Sequence, residues 1–271
     1  MDRARLEHAH RAVAAVRGNP GCVIGVQSAA VLHRLPLVEP LPPYVVLIAP
    51  ASRWSGRRPG LLFRRMAVPA DEFAPGAVPV TTAGRTWLDI ACTTTLADAI
   101  AAGDAGLRNG ILDPETMARL VDRAGARAGI RVARLAVQHV DALRETPLES
   151  ASWVYFVVRD VPLPRLQVEI RDRDGWLIGR VDFAWDEARL VGEADGRLKY
   201  DTPDALYREK RREDGLREHG HRVIRWGWAD LRDVRLAGPG GARTRSGPGR
   251  RRPARRHRPR RPPVACRSAC A

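Results

Sequence analysis

Gly179-Arg180-Val181-Asp182-Phe183-Ala184-Trp185 and Leu190-Val191-Gly192-Glu193-Ala194-Asp195-Gly196, with Lys199 shortly after, decide how the second half of this chain is read. Two runs of alternating apolar side chains, split by the polar Asp186-Glu187-Ala188-Arg189, predict a β-hairpin. A turn centred near Glu187-Ala188 sets Asp182 opposite Glu193 and Arg180 opposite Asp195, so one face of the ribbon is acidic. The other face carries Val181, Phe183, Trp185 and Ala194, the pattern of a sheet packed on a helix. Opposed carboxylates, with Cβ atoms about 5 Å apart, repel unless a positive charge lies between them. A divalent cation is one such charge, and hard oxygen ligands of this kind suit Mg²⁺. The plainer account is a polar sheet face with Asp195 paired to Arg180 and Glu193 in water.

Outward from the hairpin the pattern continues. Thr146-Pro147-Leu148-Glu149 precedes the apolar run Trp153-Val154-Tyr155-Phe156-Val157-Val158. Thr146 as cap, Pro147 as first residue and Glu149 three after the Thr predict a helix with a capping box, a device of about 1 kcal/mol. Strands over 163–170 and 176–185 are expected to pair across Asp172-Arg173-Asp174-Gly175. Thr202-Pro203 opens a helix to about His219, in which five basic residues stand with five acidic ones. Pairs such as Glu209–Arg212 and Glu213–Arg217 account for much of that charge, and phosphate contact by Lys210 or Arg211 is the second reading. Gly220 ends the helix, 222–226 is a returning strand, and Trp228-Ala229-Asp230-Leu231 begins a last helical turn.

Asp182, Glu193-Ala194-Asp195-Gly196, Lys199-Tyr200, Glu209-Lys210-Arg211-Arg212-Glu213-Asp214 and Gly220-His221-Arg222-Val223-Ile224-Arg225-Trp226 together resemble the very-short-patch-repair-like endonuclease branch of the PD-(D/E)xK superfamily, over roughly residues 146–231. The resemblance implies a restriction-endonuclease-like sheet and Mg²⁺-dependent hydrolysis of DNA phosphodiesters. Asp182 and Glu193 would be the metal ligands. Glu149, on the helix before the sheet, would reach the metal directly or through water, alongside its capping role. The family's third signature residue is commonly Lys and here is Asp195, an outer ligand or the partner of Arg180, so Lys199 would stand in for the Lys.

The first half reads differently. A charged, Ala-rich helix over 2–17 ends at Gly18-Asn19-Pro20-Gly21, and a short apolar strand leads to a helix over 28–35 with Ser28 as cap. Strands are expected over 44–49 and 60–65, joined by the basic loop Arg53-Trp54-Ser55-Gly56-Arg57-Arg58. That loop reads as a phosphate or base contact, or as a solvated loop with one anchoring Trp. A capped helix over 80–91, with Trp87, Leu88 and Ala91 on one side, is followed by helices near 96–107, 114–124 and 130–143, the 114–124 helix begun by Asp113 as cap and Pro114 as its first residue. His33 and His139 have no Cys or carboxylate partner at metal-ligand spacing and read as packing or surface residues. Val26-Gln27-Ser28-Ala29-Ala30-Val31-Leu32-His33-Arg34-Leu35-Pro36-Leu37, with the segment Val80 to Ala91, resembles the middle domain of abortive-infection (AbiEi-like), type IV antitoxin proteins. In that family a DNA-binding winged helix usually precedes this domain, and the roughly twenty residues before Cys22 are too few for one.

The formal charge of +15 is mostly tail: residues 238–271 hold eleven Arg and no acid, and without them 35 basic residues meet 31 acidic ones. Such a segment cannot bury a core and is expected to be disordered. It reads either as a nucleic-acid-binding arm or as the product of a shifted, GC-rich reading frame. Cys22 and Cys92 read as buried thiols, and Cys266 and Cys270 are too few for a zinc site. With no apolar run of about 18 residues and no signal peptide, a cytoplasmic protein is expected. The expectation is therefore an α+β chain. A mainly helical domain with short strands fills 1–140, a mixed sheet flanked by helices fills 141–236, and a tail fills 237–271. Its main functional reading is a Mg²⁺-dependent DNA endonuclease using Asp182, Glu193, Asp195, Lys199 and Glu149, and its alternative is a non-catalytic, DNA-binding antitoxin-like regulator. DNA is the partner in both, with a cognate toxin or a repair protein besides.

Overall fold

The computed structural model describes residues 2–49, 55–195 and 203–231. The tail and residues 53, 54 and 199, on which expectations fell, lie outside the described residues.

Helix α1 (Arg3–Arg17) starts where the Asp2 side chain accepts the Arg5 N–H, and its buried side is Ala9, Ala12 and Val16. Strands β1 (Val23–Ile24), β2 (Val45–Ile48), β3 (Gly56–Arg58) and β4 (Leu61–Arg64) form a mixed sheet in the order β1-β2-β4-β3. All four residues of β2 are buried. Val45 and Leu47 join the cluster of α1 and Phe63, while Val46 joins the larger helical core. A strand covered on both faces needs a continuous apolar run, and Val45-Val46-Leu47-Ile48 supplies it.

Helix α2 covers Val26–Leu32 and is capped by Gly25, not by Ser28. Ser28 is buried inside it, where its Oγ accepts the Val46 N–H at 2.9 Å and meets His8 Nε2 at 2.8 Å. Cap chemistry and buried-hydroxyl chemistry look alike in sequence, and here the bond to a His twenty residues away decides. The basic loop also differs from expectation, since Arg57 and Arg58 lie on β3, paired to Leu62 and Leu61 across the turn Pro59-Gly60.

Helices α3 (Ala83–Thr93), α4 (Leu96–Arg108), α5 (Pro114–Arg123) and α6 (Ile130–Val137) pack into one core. Thr82, Thr95 and Asp113 cap α3, α4 and α5 by accepting N–H groups, Asp113 as expected, and α6 ends earlier than its periodicity allowed. Helix α3 is buried all round from Gly84 to Cys92, instead of on one side. Its polar groups tolerate this because they are paired: Trp87 Nε1 donates to Ala99 O at 2.9 Å, and Arg85 meets Asp89. Gly129, at φ +82°, starts α6 so close to α3 that a Cβ there would lie 2.0 Å from the Cys92 carbonyl oxygen.

Helix α7 (Pro147–Val158) leads to β5 (Arg165–Arg171), β6 (Leu177–Trp185), β7 (Leu190–Ala194), helix α8 (Pro203–Glu218) and β8 (Arg222–Trp226). The second sheet has the order β5-β6-β7-β8, antiparallel except for the β7–β8 pair. A parallel pair needs a crossover, and α8 provides it. Trp185 pairs with Leu190, so the hairpin turns where its apolar symmetry placed it. Helix α8 sets Leu216 against Ile170, Val181, Ala184 and Val191 on one side of this sheet. On the other side Phe156 of α7 meets Phe183, Trp185 and Trp226 edge-on at 5.4, 5.4 and 5.9 Å. Strict alternation would part Val181 from Ala184, yet they share a cluster; the β5–β6 ladder skips from Leu166↔Phe183 to Val168↔Val181, and Gln167 sits there at φ +50°. Helix α7 also sends Val154 into the first core, so it packs against both halves of the chain. Among the described residues no helix is long and apolar enough to cross a membrane.

Candidate functional site

Asp182 lies in a corner bounded by β5, β6, β7 and the start of α7, within electrostatic reach of Glu149 and Glu193. The β6–β7 ladder ends at Phe183↔Gly192. One step on, Asp182 Oδ2 accepts the Ala194 N–H at 2.9 Å. Glu149 completes the corner: its Oε2 accepts the Glu145 N–H and Gln167 Nε2, each at 2.9 Å, and its Oε1 accepts the Thr146 hydroxyl at 2.8 Å. The Glu149 N–H donates to Thr146 Oγ1 at 3.2 Å. The capping box thus takes a variant form, its Glu turned to the Thr hydroxyl and the preceding N–H. Thr146→Ala is expected to lower the unfolding free energy by about 1 kcal/mol, seen as a lower urea midpoint; an unchanged midpoint would leave Glu149 as the sole cap.

Burial is the largest influence on Asp182 and pushes its carboxyl up to about 6; the Ala194 N–H opposes this, and the charges of Glu149 and Glu193 add to it. Glu193 has the opposite fate. Burial would raise it, but two guanidinium groups outweigh burial and hold it below its ordinary value. Arg212 Nη1 lies 2.6 Å from Oε1 and Arg225 Nε donates to Oε2 at 2.8 Å. Arg225 Nη1 reaches Glu213 at 2.6 Å, and Glu213 also holds Arg217.

These contacts correct several expectations. The positive charge beside Glu193 belongs to Arg225 and to Arg212, the latter expected as a helix partner of Glu209 and not as a partner of the sheet acids. Glu193 is 9% exposed and ion-paired, not in water. Arg180 pairs with Glu145 at 2.9 Å, not with Asp195, because β6 runs past the end of the β7 ladder and reaches the entrance of α7. Asp195 is half-buried at the end of β7, where its N–H donates to Trp226 O at 2.9 Å. Lys199 lies outside the described residues, and Lys210 and Arg211 are exposed on α8. As arranged, the set does not fit a magnesium ion, since both Glu193 oxygens face guanidinium groups and both Glu149 oxygens hold N–H or O–H donors. Among the described residues no group of three or more His, Cys, Asp or Glu is arranged to hold a metal.

The first half holds a second polar centre that no motif announced. Buried Arg85 donates to Glu72 at 2.5 Å, to Asp89 at 2.8 Å and to the Ala67 carbonyl at 2.9 Å. Arg127 also reaches Asp89, and Arg123 spans Asp71 and Glu72. Cavities of about 350 and 450 Å³ share Arg123 in their walls. Three cations meet three anions there, so the centre is electrically balanced and ties α3 and α5 to the 3-10 turn at Ala70–Glu72.

Two uncharacterized proteins from two strains of Mycobacterium tuberculosis are each 31% identical to this chain over 126 residues. That stretch is 46% of this chain and 46% of each relative, so the chain spans about half the length of the curated relatives it matches. No solved structure matches it. Residues 21–136 match the AbiEi antitoxin C-terminal domain, and this match, to an antitoxin and not to a nuclease, overturns the magnesium-dependent endonuclease as the reading of the chain and favours the antitoxin-like regulator.

Proposed function

We propose that this chain is a DNA-binding, antitoxin-like regulator with a cognate toxin as its second partner. The observation that carries the reading is the match of residues 21–136 to the AbiEi antitoxin C-terminal domain. That stretch contains β1 to β4, α2 to α5 and most of α6, with the core they share. The ion-paired state of Glu193 supports a scaffolding role for the second sheet: a carboxylate neutralised by two guanidinium groups stabilises the packing of α8 and β8 on β7. Binding of DNA by such a protein draws on phosphate neutralisation for affinity and on a specific site for selectivity.

A gel-retardation experiment with the full chain tests this. Duplex from immediately upstream of the protein's own reading frame should be retained at least about tenfold more tightly than a scrambled duplex of the same length and composition, well inside the usual specific-to-nonspecific range. Equal retention of both, or of neither, would end the regulator reading.

A further inference from the structure

Many guanidinium groups in this molecule face a carboxylate; among the described residues those of Arg57, Arg64 and Arg65, on or beside the edge strand of the first sheet, do not. Residues 40–70 contain five Arg and neither Asp nor Glu. Arg57, Arg58, Arg64 and Arg65 fall on β3, on β4 or immediately after it, and β3 is the outermost strand. Arg57 pairs with Leu62, two residues before Arg64, so Arg57 and Arg64 share one face as a diagonal cross-strand pair, with Cβ atoms about 7–8 Å apart. Arg58 pairs with Leu61 and lies, with Arg65, on the other face. Among the described residues no carboxylate pairs with Arg57, Arg64 or Arg65, and the Nε of Arg64 is buried without a hydrogen-bond partner.

Two aromatic rings hold this edge in place. The Arg57 guanidinium carbon lies 4.9 Å from the centroid of Tyr44, and that of Arg58 lies 5.3 Å from the centroid of Phe63. Stacking of this kind fixes the plane of a guanidinium while leaving its N–H groups outward. The Pro59-Gly60 turn, with Gly60 at φ +70°, keeps the ribbon tight. Like charges this close repel, so the arrangement costs stability in the free protein and is relieved by an anion carrying several charges at regular spacing. Protection of an open edge from self-association explains one or two charges. It does not explain four arginines within a stretch of sequence that holds no acid, two of them stacked on aromatic rings.

We propose that the β3–β4 ribbon is a binding site for the phosphate backbone of duplex DNA, with Arg57 and Arg64 as the principal contacts on one face and Arg58 and Arg65 on the other. The inference rests on the DNA-binding reading above and locates it on a sheet edge. Contacts of this type set affinity and orientation and carry no base sequence information.

The test measures DNA affinity of the full chain by fluorescence anisotropy between about 50 and 200 mM salt, for wild type, Arg57→Gln/Arg64→Gln and the charge-keeping Arg57→Lys/Arg64→Lys. Loss of two phosphate contacts should reduce the slope of log affinity against log salt by about 1.8. Affinity should fall to the same extent for upstream and scrambled duplex, while the Lys pair keeps the wild-type slope. Arg119→Gln, a change in the exposed pair with Glu115 on α5, should leave the slope unchanged. A Gln pair that melts like wild type and keeps the wild-type slope overturns the ribbon site but leaves the regulator reading standing. A Lys pair whose slope falls as far as that of the Gln pair overturns it too, because charge would not be the cause. No binding of duplex by wild type, or binding of single strands only, removes both proposals.

Discussion

Arg144→Met should lower the unfolding free energy by about 3–5 kcal/mol, the usual result of stripping one partner from a buried ion pair. Arg144 and Asp104 are 0% and 1% exposed in their side chains. Asp104 takes four donors: Arg144 Nε at 2.7 Å and Nη2 at 2.8 Å, the Asp141 N–H at 2.8 Å and the Ser150 hydroxyl at 2.7 Å. Arg144 also donates to the His139 carbonyl, and its guanidinium carbon lies 4.8 Å from the centroid of Trp153. One carboxylate on α4 therefore gathers the segment after α6 and the first turns of α7, the helix that packs on both halves of the chain. Removing Arg144 leaves Asp104 buried with two neutral donors and no counter-charge. Asp104→Leu combined with Arg144→Met should cost clearly less than the two single changes added together, because neither charge is then stranded. Urea unfolding of the four proteins measures this. Additive losses would mean that the pair is solvated in solution and is no junction between the halves.

How far the sequence carries a reader depends on whether the deciding partner is near in the chain. Hairpin register came through, because period-2 alternation and a polar turn are local features, and so did the caps Asp113 and Thr146. What neutralises Glu193 did not. Arg212 sits on a helix with equal numbers of acidic and basic residues, a composition that reads equally well as solvated, and only the packing of α8 on the sheet turns it inward. Arg225 stands beside Glu193 across the parallel β7–β8 pair, and that pairing is set by a crossover helix, not by neighbouring residues. Arg57 and Arg58 read as loop because Gly and Pro flank them, and an edge strand with one partner has little else to declare it. Ser28 shows the same limit from inside the core. Its hydroxyl suits a cap, and His8, far back in the chain, makes it a buried bridge.

Asp182→Asn should make the protein more stable at neutral pH, by about 2 kcal/mol, and should flatten its pH dependence. The carboxyl of Asp182 is raised from an ordinary 3.8 to about 6 in the fold, so between these values the folded chain holds a proton that the unfolded chain has released. Stability from this group is fully present below the unfolded value and is lost as pH rises through about 6; near neutrality the folded state carries a buried carboxylate beside Glu149 and Glu193. A shift of about two units corresponds to roughly 3 kcal/mol, and partial solvent contact reduces it. Asn keeps an oxygen to accept the Ala194 N–H and adds an N–H₂ near Gln167, whose Oε1 is buried without a donor. Urea midpoints at about pH 5 and pH 7.5, on either side of the raised value, decide the matter. Wild type should be the more stable at the lower pH so far as this residue is concerned, with Asn above wild type at the higher pH and the two converging as pH falls. Parallel curves would show that Asp182 is solvated and costs the fold nothing. A gain on removing the charge would identify Asp182 as a residue this fold keeps at the expense of stability, unlike Glu193, whose charge Arg212 and Arg225 turn into a packing contact.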